Sequence, residues 1–141
     1  GEVVTAFKTM QEARRKAFEM VRPGASCAEI DCRTKEFLQK EGYGDKLLHR
    51  TGHGFGLGNH EGPWVAEGSQ EILQENMVIS IEPGIYLPEI GGIRHSDTVL
   101  VTKDGYECLT KYPTALEAVT VGAFKPIKRL IGAITRRAVG I

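Results

Sequence analysis

Residues 52–63 read GHGFGLGNHEGP, and residues 80–86 read SIEPGIY. The first segment has glycine at every second position from 52 to 58, a pattern that permits close backbone approach and tight bends. It also places His53 and His60 seven positions apart, and the second segment places Glu82 at the end of an apolar run. Imidazole and carboxylate groups are ligands of catalytic divalent metals, so the two segments together predict a hydrolytic metal site.

The chain before these segments is predicted to form two helices. Apolar residues recur at three- and four-residue intervals over residues 3–21, and Arg22-Pro23-Gly24 is expected to end this first helix. Ser26 and Glu29 form a capping box for a second helix, which is expected to end within residues 41–44.

The chain after residue 76 has the pattern of antiparallel strands. Residues 77–81 read as an apolar strand, 88–92 as a connection and 93–102 as its partner strand. Asp104-Gly105 is a hairpin signal that leads to a short strand at 106–109. This order predicts an α+β domain in which two helices pack on one face of a curved, mainly antiparallel sheet.

Length and charge indicate one main domain and a distinct tail. The chain has 141 residues, 41% of them hydrophobic, which is sufficient for one core. Residues 1–117 carry a net charge of −5, which gives no reason to expect nucleic acid binding, whereas residues 118–141 hold five basic and no acidic side chains. The tail is predicted to be a basic amphipathic helix, able to contact an anionic membrane or a partner, or else a surface extension.

The three cysteines bear on the cellular compartment. Cys27, Cys32 and Cys108 lack the Cys-x-x-Cys spacing of a zinc site, so they are predicted to be buried free thiols in a reducing compartment. No secretory signal and no run of eighteen apolar residues is visible in the sequence. A cytoplasmic location is the resulting expectation.

Four blocks in this order resemble the pita-bread metallopeptidases, the family of methionine aminopeptidase, Xaa-Pro aminopeptidase and Xaa-Pro dipeptidase (prolidase). The match runs from about residue 5 to residue 111 and corresponds to the C-terminal half of the family's catalytic domain. The wording is closer to the Xaa-Pro branch. The blocks are HGFG at 53–56, HEGP at 60–63, IEPGIY at 81–86 and GGIRHSDTVLVT at 91–102.

The resemblance implies a role for each of three residues. His53 matches a metal ligand, His60 matches a histidine that contacts substrate and stabilises the tetrahedral intermediate, and Glu82 matches a ligand that also shuttles protons. Manganese or cobalt would be the cofactor, and a peptide with proline in second position the substrate. Structural interpretations stay open for all three: His53 as a hydrogen-bonded loop residue, His60 paired with Glu61, and Glu82 paired with Arg94.

The sequence departs from the family's pattern in its fourth block. Active members read Arg-Ile-Glu-Asp where this chain reads Arg94-His95-Ser96-Asp97, so the bridging glutamate is replaced by Ser96. A short neutral hydroxyl cannot replace a bridging carboxylate. His95 is expected to point to the opposite face, because adjacent strand residues alternate unless a bulge intervenes. The two aspartate ligands of the family's first half are also missing from this sequence, which leaves only His53 and Glu82.

Three functions are therefore open. The chain is half of an Xaa-Pro-type metallopeptidase, inactive or weakly active alone and dependent on a first half supplied elsewhere. Alternatively, it is a catalytically dead remnant that binds a partner or forms a homo-oligomer through exposed strand edges. In the third hypothesis it resembles creatinase, a metal-independent hydrolase of the family, with His60, Glu82 and Arg94 as catalytic residues.

Overall fold

Two helices begin the chain in the computed structural model, which describes residues 1–121. Helix α1 spans Glu2–Met20 and helix α2 spans Cys27–Leu38. Ser26 caps α2, because its Oγ accepts a hydrogen bond from Glu29 N at 3.3 Å. The helices and the capping position agree with the sequence prediction.

The chain after α2 turns towards the sheet through one irregular segment. A π-helical turn at Gln39–Tyr43 is followed by a 3₁₀ turn at Gly44–Lys46. Gly42 has φ of 88°, a left-handed conformation that glycine adopts at little cost. The segment therefore ends the helical part of the fold close to the predicted position.

Within residues 1–121, seven strands follow, all paired antiparallel. Five of them form one sheet in the order β2-β1-β3-β6-β7, and β4 pairs with β5 in a separate two-stranded sheet. A short helix, α3 (Leu116–Val119), comes after the last strand. The strands are β1 (Gly52–Gly54), β2 (Glu61–Val65), β3 (Val78–Ile81), β4 (Gly84–Leu87), β5 (Gly91–Arg94), β6 (Asp97–Thr102) and β7 (Gly105–Cys108).

The two helices pack over both sheets and form two apolar clusters. In the first, the C-terminal half of α1 and the start of α2 lie on the five-stranded sheet, with Phe18 and Ile30 against Ile79 and Val99. In the second, the N-terminal half of α1 lies on the two-stranded sheet, with Met10 in the same cluster as Ile85. Burial of these side chains is the main force that holds the layers together. The predicted α+β class, with two helices on a mainly antiparallel sheet, is confirmed.

The prediction of one strand over residues 93–102 is wrong. Residues up to Arg94 belong to β5 in the small sheet, and Asp97 begins β6 in the large one. The strand β4 was also missed. Pro83 gives a physical reason for the interruption, since it has no N–H and cannot donate to a sheet ladder.

The cysteine prediction holds for one residue and fails for another. Cys27 is fully buried, and burial, reinforced by the charge of Glu71, raises the pKa of its thiol to about 11. Cys32 is exposed, because it lies on the outer face of α2, and Cys108 is half-buried. All three are free thiols.

The residues that carry the predicted tail helix, 124–138, lie outside the described residues. The division into residues 1–117 and 118–141 therefore stays a prediction. Among residues 1–121, no helix combines the length and the apolar character that crossing a membrane requires.

Candidate active site

The site lies where pairing between neighbouring strands is interrupted. The last pair of β3 and β6 is Ile81 with Asp97, and the first pair of β4 and β5 is Gly84 with Arg94. Residues 82–83 and residues 95–96 therefore belong to neither sheet and connect one sheet to the other. This break places Glu82 opposite Ser96, whose Oγ donates a hydrogen bond to Glu82 Oε2 at 3.1 Å.

His53 and Glu82 form the buried half of the site. His53 lies on β1, next to β3 in the large sheet, and its N–H donates to Ser80 Oγ at 2.9 Å. Glu82 follows β3, and its N–H donates to Thr51 O at 2.8 Å. These contacts fix the backbone on both sides, and His53 Nε2 lies 3.2 Å from Glu82 Oε1. The side chains are only 4% and 12% exposed, so the pair is shielded from water.

A hydrogen bond of the His53 ring shows which ring nitrogen faces the backbone and carries a hydrogen. Nδ1 lies 3.0 Å from Gly54 O, and because a carbonyl oxygen only accepts, Nδ1 carries the hydrogen. With Nδ1 bonded to Gly54 O, Nε2 is the ring atom that faces the Glu82 carboxylate. Two electron-rich atoms at this separation favour a proton or a cation between or beside them. The hydrogen-bonded interpretation of His53 and its match to a ligand are thus compatible.

Two of the alternating glycines permit close backbone approach, as the sequence pattern indicates. A Cβ on Gly52 would lie 2.0 Å from Ser80 O, and one on Gly54 would lie 2.1 Å from Gly62 O. These two glycines let neighbouring strands approach β1. A Cβ on Gly56 would instead meet Glu61 Oε1 at 1.8 Å, so this glycine makes room for a carboxylate.

His60 is held beside His53 at the end of the same loop. Their ring centroids are 4.2 Å apart. The expected pairing of His60 with Glu61 is replaced by a different contact, because Glu61 Oε2 accepts a hydrogen bond from Gly58 N at 2.8 Å. The Glu61 carboxylate thereby closes the loop that carries His60.

Arg94 and Ser96 form the exposed half of the site. Arg94 Nη1 lies 3.6 Å from Glu82 Oε2, and its side chain is 50% exposed. The proposed ion pair between these residues is therefore present, with the guanidinium half-exposed and the carboxylate nearly buried. His95 points elsewhere, in agreement with the expected alternation: its Nε2 lies 3.4 Å from Asp97 Oδ1. His95 does not replace the missing carboxylate.

A histidine–tyrosine pair borders the site and was not predicted from the sequence. His49 Nε2 lies 2.7 Å from Tyr86 Oη, and a Cβ on Gly84 would come within 3.0 Å of this histidine nitrogen. The pair thus lies beside the residue that follows Glu82-Pro83. The only sequence signal was the position of His49 four residues before His53, outside the glycine-rich segment.

The donors fit part of a metal site and do not complete one. His53 Nε2 and the Glu82 carboxylate are suitable ligands on a buried surface. Within residues 1–121, the structure holds no cluster of three or more histidine, cysteine, aspartate or glutamate side chains that could bind a metal ion. Ser96, which lies beside Glu82, offers only the neutral oxygen of a hydroxyl group.

Comparison with known proteins gives consistent matches. The model of metallopeptidase family M24 matches residues 1–103. The Xaa-Pro dipeptidase of Pyrococcus furiosus is 44% identical over 105 residues, which are 74% of this chain and 30% of that protein. The probable dipeptidase PepE of Mycobacterium tuberculosis is 39% identical over 121 residues, 86% of this chain and 32% of its own length.

Solved structures agree in fold. The prolidase from Pyrococcus furiosus superposes with a TM-score of 0.77 at 41% identity, covering 80% of this chain and 34% of that one. Dipeptidase PepE from Mycobacterium ulcerans gives 0.78 at 38% identity, covering 82% and 31%. The chain thus has part of the pita-bread fold and spans about a third of the length of the relatives it matches. Family model, relatives and structures agree that this chain belongs to metallopeptidase family M24.

Proposed function

We propose that this chain supplies the histidine–glutamate half of an Xaa-Pro-type dipeptidase active site, and that the chain alone has little or no activity. The observation that carries the proposal is the buried pair of His53 Nε2 and Glu82 Oε1, 3.2 Å apart on adjoining segments. The similarity to Xaa-Pro dipeptidases supports the choice of a peptide substrate with proline in second position.

Each residue of the site has a defined task in this proposal. His53 Nε2 and the Glu82 carboxylate would hold a divalent metal, manganese or cobalt, which supplies a nucleophilic water when bound. Glu82 accepts a proton from the attacking water and returns it to the leaving amine. His60, next to His53, donates to the oxyanion of the tetrahedral intermediate. Arg94 adds positive charge at the exposed rim, where the ends of a peptide substrate would lie.

Ser96 is the reason to expect weak activity. Its hydroxyl occupies the position of a family ligand and donates to Glu82 Oε2, so it consumes one acceptor of the remaining carboxylate. A neutral oxygen also leaves the charge of two divalent cations poorly compensated. The remaining ligands would have to come from residues outside this sequence.

A manganese titration by calorimetry tests the site directly. We expect weak one-to-one binding, because this chain supplies only two ligands, and we expect it to be lost in His53→Ala and kept in the control His95→Ala, whose imidazole pairs with Asp97 outside the site. Binding that survives His53→Ala, or the absence of any binding, would contradict the proposed site. Release of proline from Xaa-Pro dipeptides, measured in parallel, is expected to be slow or undetectable, and a fast rate would contradict the expected inactivity.

One observation favours a second candidate function. The strands β2 and β7 are the edges of the large sheet within the described residues, and open edges can pair with another chain. In this alternative the chain is a catalytically dead module that forms a homo-oligomer or docks a partner. Sedimentation at tens of micromolar distinguishes the two, because self-association without manganese binding favours the module.

A metal-independent hydrolase resembling creatinase is the third candidate. Its support is that Arg94 Nη1 lies 3.6 Å from Glu82 Oε2 and that the His60 ring lies 4.2 Å from the ring of His53, the neighbour of Glu82. Hydrolysis that persists in excess chelator and is lost in His60→Ala would favour this function over the metallopeptidase.

A further inference from the structure

Asp31 is a fully buried carboxylate outside the candidate site. It lies on α2, and each of its oxygens accepts a hydrogen bond from a distant backbone N–H: Thr51 N to Oδ1 at 2.7 Å and Glu67 N to Oδ2 at 2.8 Å. Lys35 Nζ lies 2.8 Å from Oδ2. A buried aspartate is rare unless it is paired, and these three contacts satisfy it.

The contact with Thr51 leads directly to the site. Thr51 donates its N–H to Asp31, and its carbonyl oxygen accepts the N–H of Glu82 at 2.8 Å. Two residues further along the chain is His53. One residue fixed by Asp31 thus holds the backbone of Glu82 and precedes the strand that carries His53.

The contact with Glu67 fixes the other end of the same segment. Glu67 follows β2, which begins directly after His60. Asp31 therefore holds residue 51 before β1 and residue 67 after β2, and the segment between them carries both histidines. Hydrogen bonds from two N–H groups to one charged acceptor are stronger than neutral ones and restrict both ends.

We propose that Asp31 is a positioning residue, which sets the geometry of the His53–Glu82 pair through Thr51. It touches no atom of the pair itself. The inference concerns the arrangement of the two side chains, so it holds whether or not they bind a metal. Packing alone would not require a carboxylate here, because Ile30 and Leu38 already supply the apolar contacts of α2.

Hydrogen exchange and NMR on the labelled chain test the proposal with Asp31→Asn. This variant keeps the shape of the side chain but turns one acceptor into an amide that cannot accept. We expect exchange at the Thr51 and Glu82 amides to rise about tenfold relative to Val101, an amide bonded to Met77 O in the same sheet. The ring contacts between His53 and His60, read as NOEs, are expected to weaken.

Ile30→Val is the matched control, because it removes a buried methylene from the residue next to Asp31. It is expected to change exchange at Thr51, Glu82 and Val101 by the same factor and to leave the histidine NOEs unchanged. An Asp31→Asn variant with the same pattern as this control would overturn the proposal, since the carboxylate would then act only on global stability.

Lys35→Gln carries the test if Asp31→Asn does not fold. The Lys35 side chain is 25% exposed, so its removal is tolerated more easily, and the two N–H bonds to Asp31 remain. Without the ammonium, the Asp31 side chain loses one of the three contacts that fix its position, so we expect the exchange rate at Thr51 to rise about threefold more than the rate at Val101. Equal changes at the two amides would overturn the proposal.

Discussion

The two halves of the candidate site are held in different ways. His53 lies on β1 and Glu82 directly follows β3. Both side chains are nearly inaccessible to solvent, and the backbone N–H groups of the two residues donate to Ser80 Oγ and Thr51 O. Arg94 is half-exposed, and it and Ser96 flank the point where the chain passes from one sheet to the other.

The comparison shows where this chain can depart from its family without losing the fold. A change at a buried central position disturbs packing and hydrogen bonds in several directions. Residue 96 lies near solvent, and the described fold does not depend on a charge there. The motif around His53 is therefore expected to tolerate a change at residue 96.

Gly54→Ala is expected to have the largest effect on stability, because it acts on the buried half of the site. A Cβ on Gly54 would lie 2.1 Å from Gly62 O, and this obstacle is backbone that can move only if β1 and β2 separate. We expect a loss of about 3 kcal/mol or more in the free energy of unfolding, measured by urea denaturation.

Gly105→Ala is the control for this prediction. Gly105 also lies in a strand, but a Cβ there would meet nothing within 4 Å. We expect no loss of stability, since alanine restricts the unfolded chain more than glycine does. A similar loss in both variants would mean that backbone freedom, and not the close approach of β1 and β2, explains the glycine at 54.

Arg14→Met tests whether helix α1 fixes the exposed half of the site, Arg94 and Ser96, through Asp97. Asp97, next to Ser96, is buried and accepts two hydrogen bonds from Arg14 on α1, at 2.5 and 3.0 Å. Without the guanidinium, Asp97 would keep only the weaker contacts of His95 and Cys108. We expect a loss of about 2–3 kcal/mol in the free energy of unfolding.

Arg15→Met is the matched control on the same helix. Arg15 pairs with Glu12 and Glu19 in solvent, where ion pairs contribute little. We expect no clear change in the denaturation midpoint for this variant. If Arg14→Met behaved in the same way, the anchor of residues 95–97 would have to lie in the β6 ladder alone.

The sequence predicts the helices and the inner half of the site because their signals are local. Apolar spacing defined α1, and Ser26 marked the start of α2. The family blocks identified His53 and Glu82, which the structure places together.

The split of residues 93–102 into two strands was not predicted, because five polar residues, 94–98, give no apolar alternation that would mark where one strand ends and the next begins. Pro83, on the opposite strand, gives the physical reason for the break. Asp31 gave no signal either. A single acidic residue in a helix looks like a solvated one, and its partners are 20 and 36 residues away.

Ser96→Glu tests whether a carboxylate in the exposed half of the site raises the affinity for a divalent metal. The added carboxylate would face Glu82, because Ser96 Oγ already lies 3.1 Å from Glu82 Oε2. We expect manganese affinity, measured by calorimetry, to rise about tenfold, since ligand charge controls the affinity for such cations. Ser96→Gln, which adds the length without the charge, is expected to leave the affinity unchanged. An equal rise in both variants would show that the charge is not the missing factor.

Of the losses of stability predicted here, that of Gly56→Ala is expected to be the smallest. The variant separates two reasons for glycine in this segment, the close approach of backbone and the room for a side chain. Its Cβ would meet Glu61 Oε1 at 1.8 Å, but this obstacle is the end of a side chain that can rotate away. We therefore expect a loss of only about 1 kcal/mol, well below that of Gly54→Ala. The displaced carboxylate would release Gly58 N and loosen the loop, so the NOEs between the His53 and His60 rings should weaken. Unchanged NOEs would mean that His60 is held by its contact with the His53 ring and not by the Glu61 carboxylate.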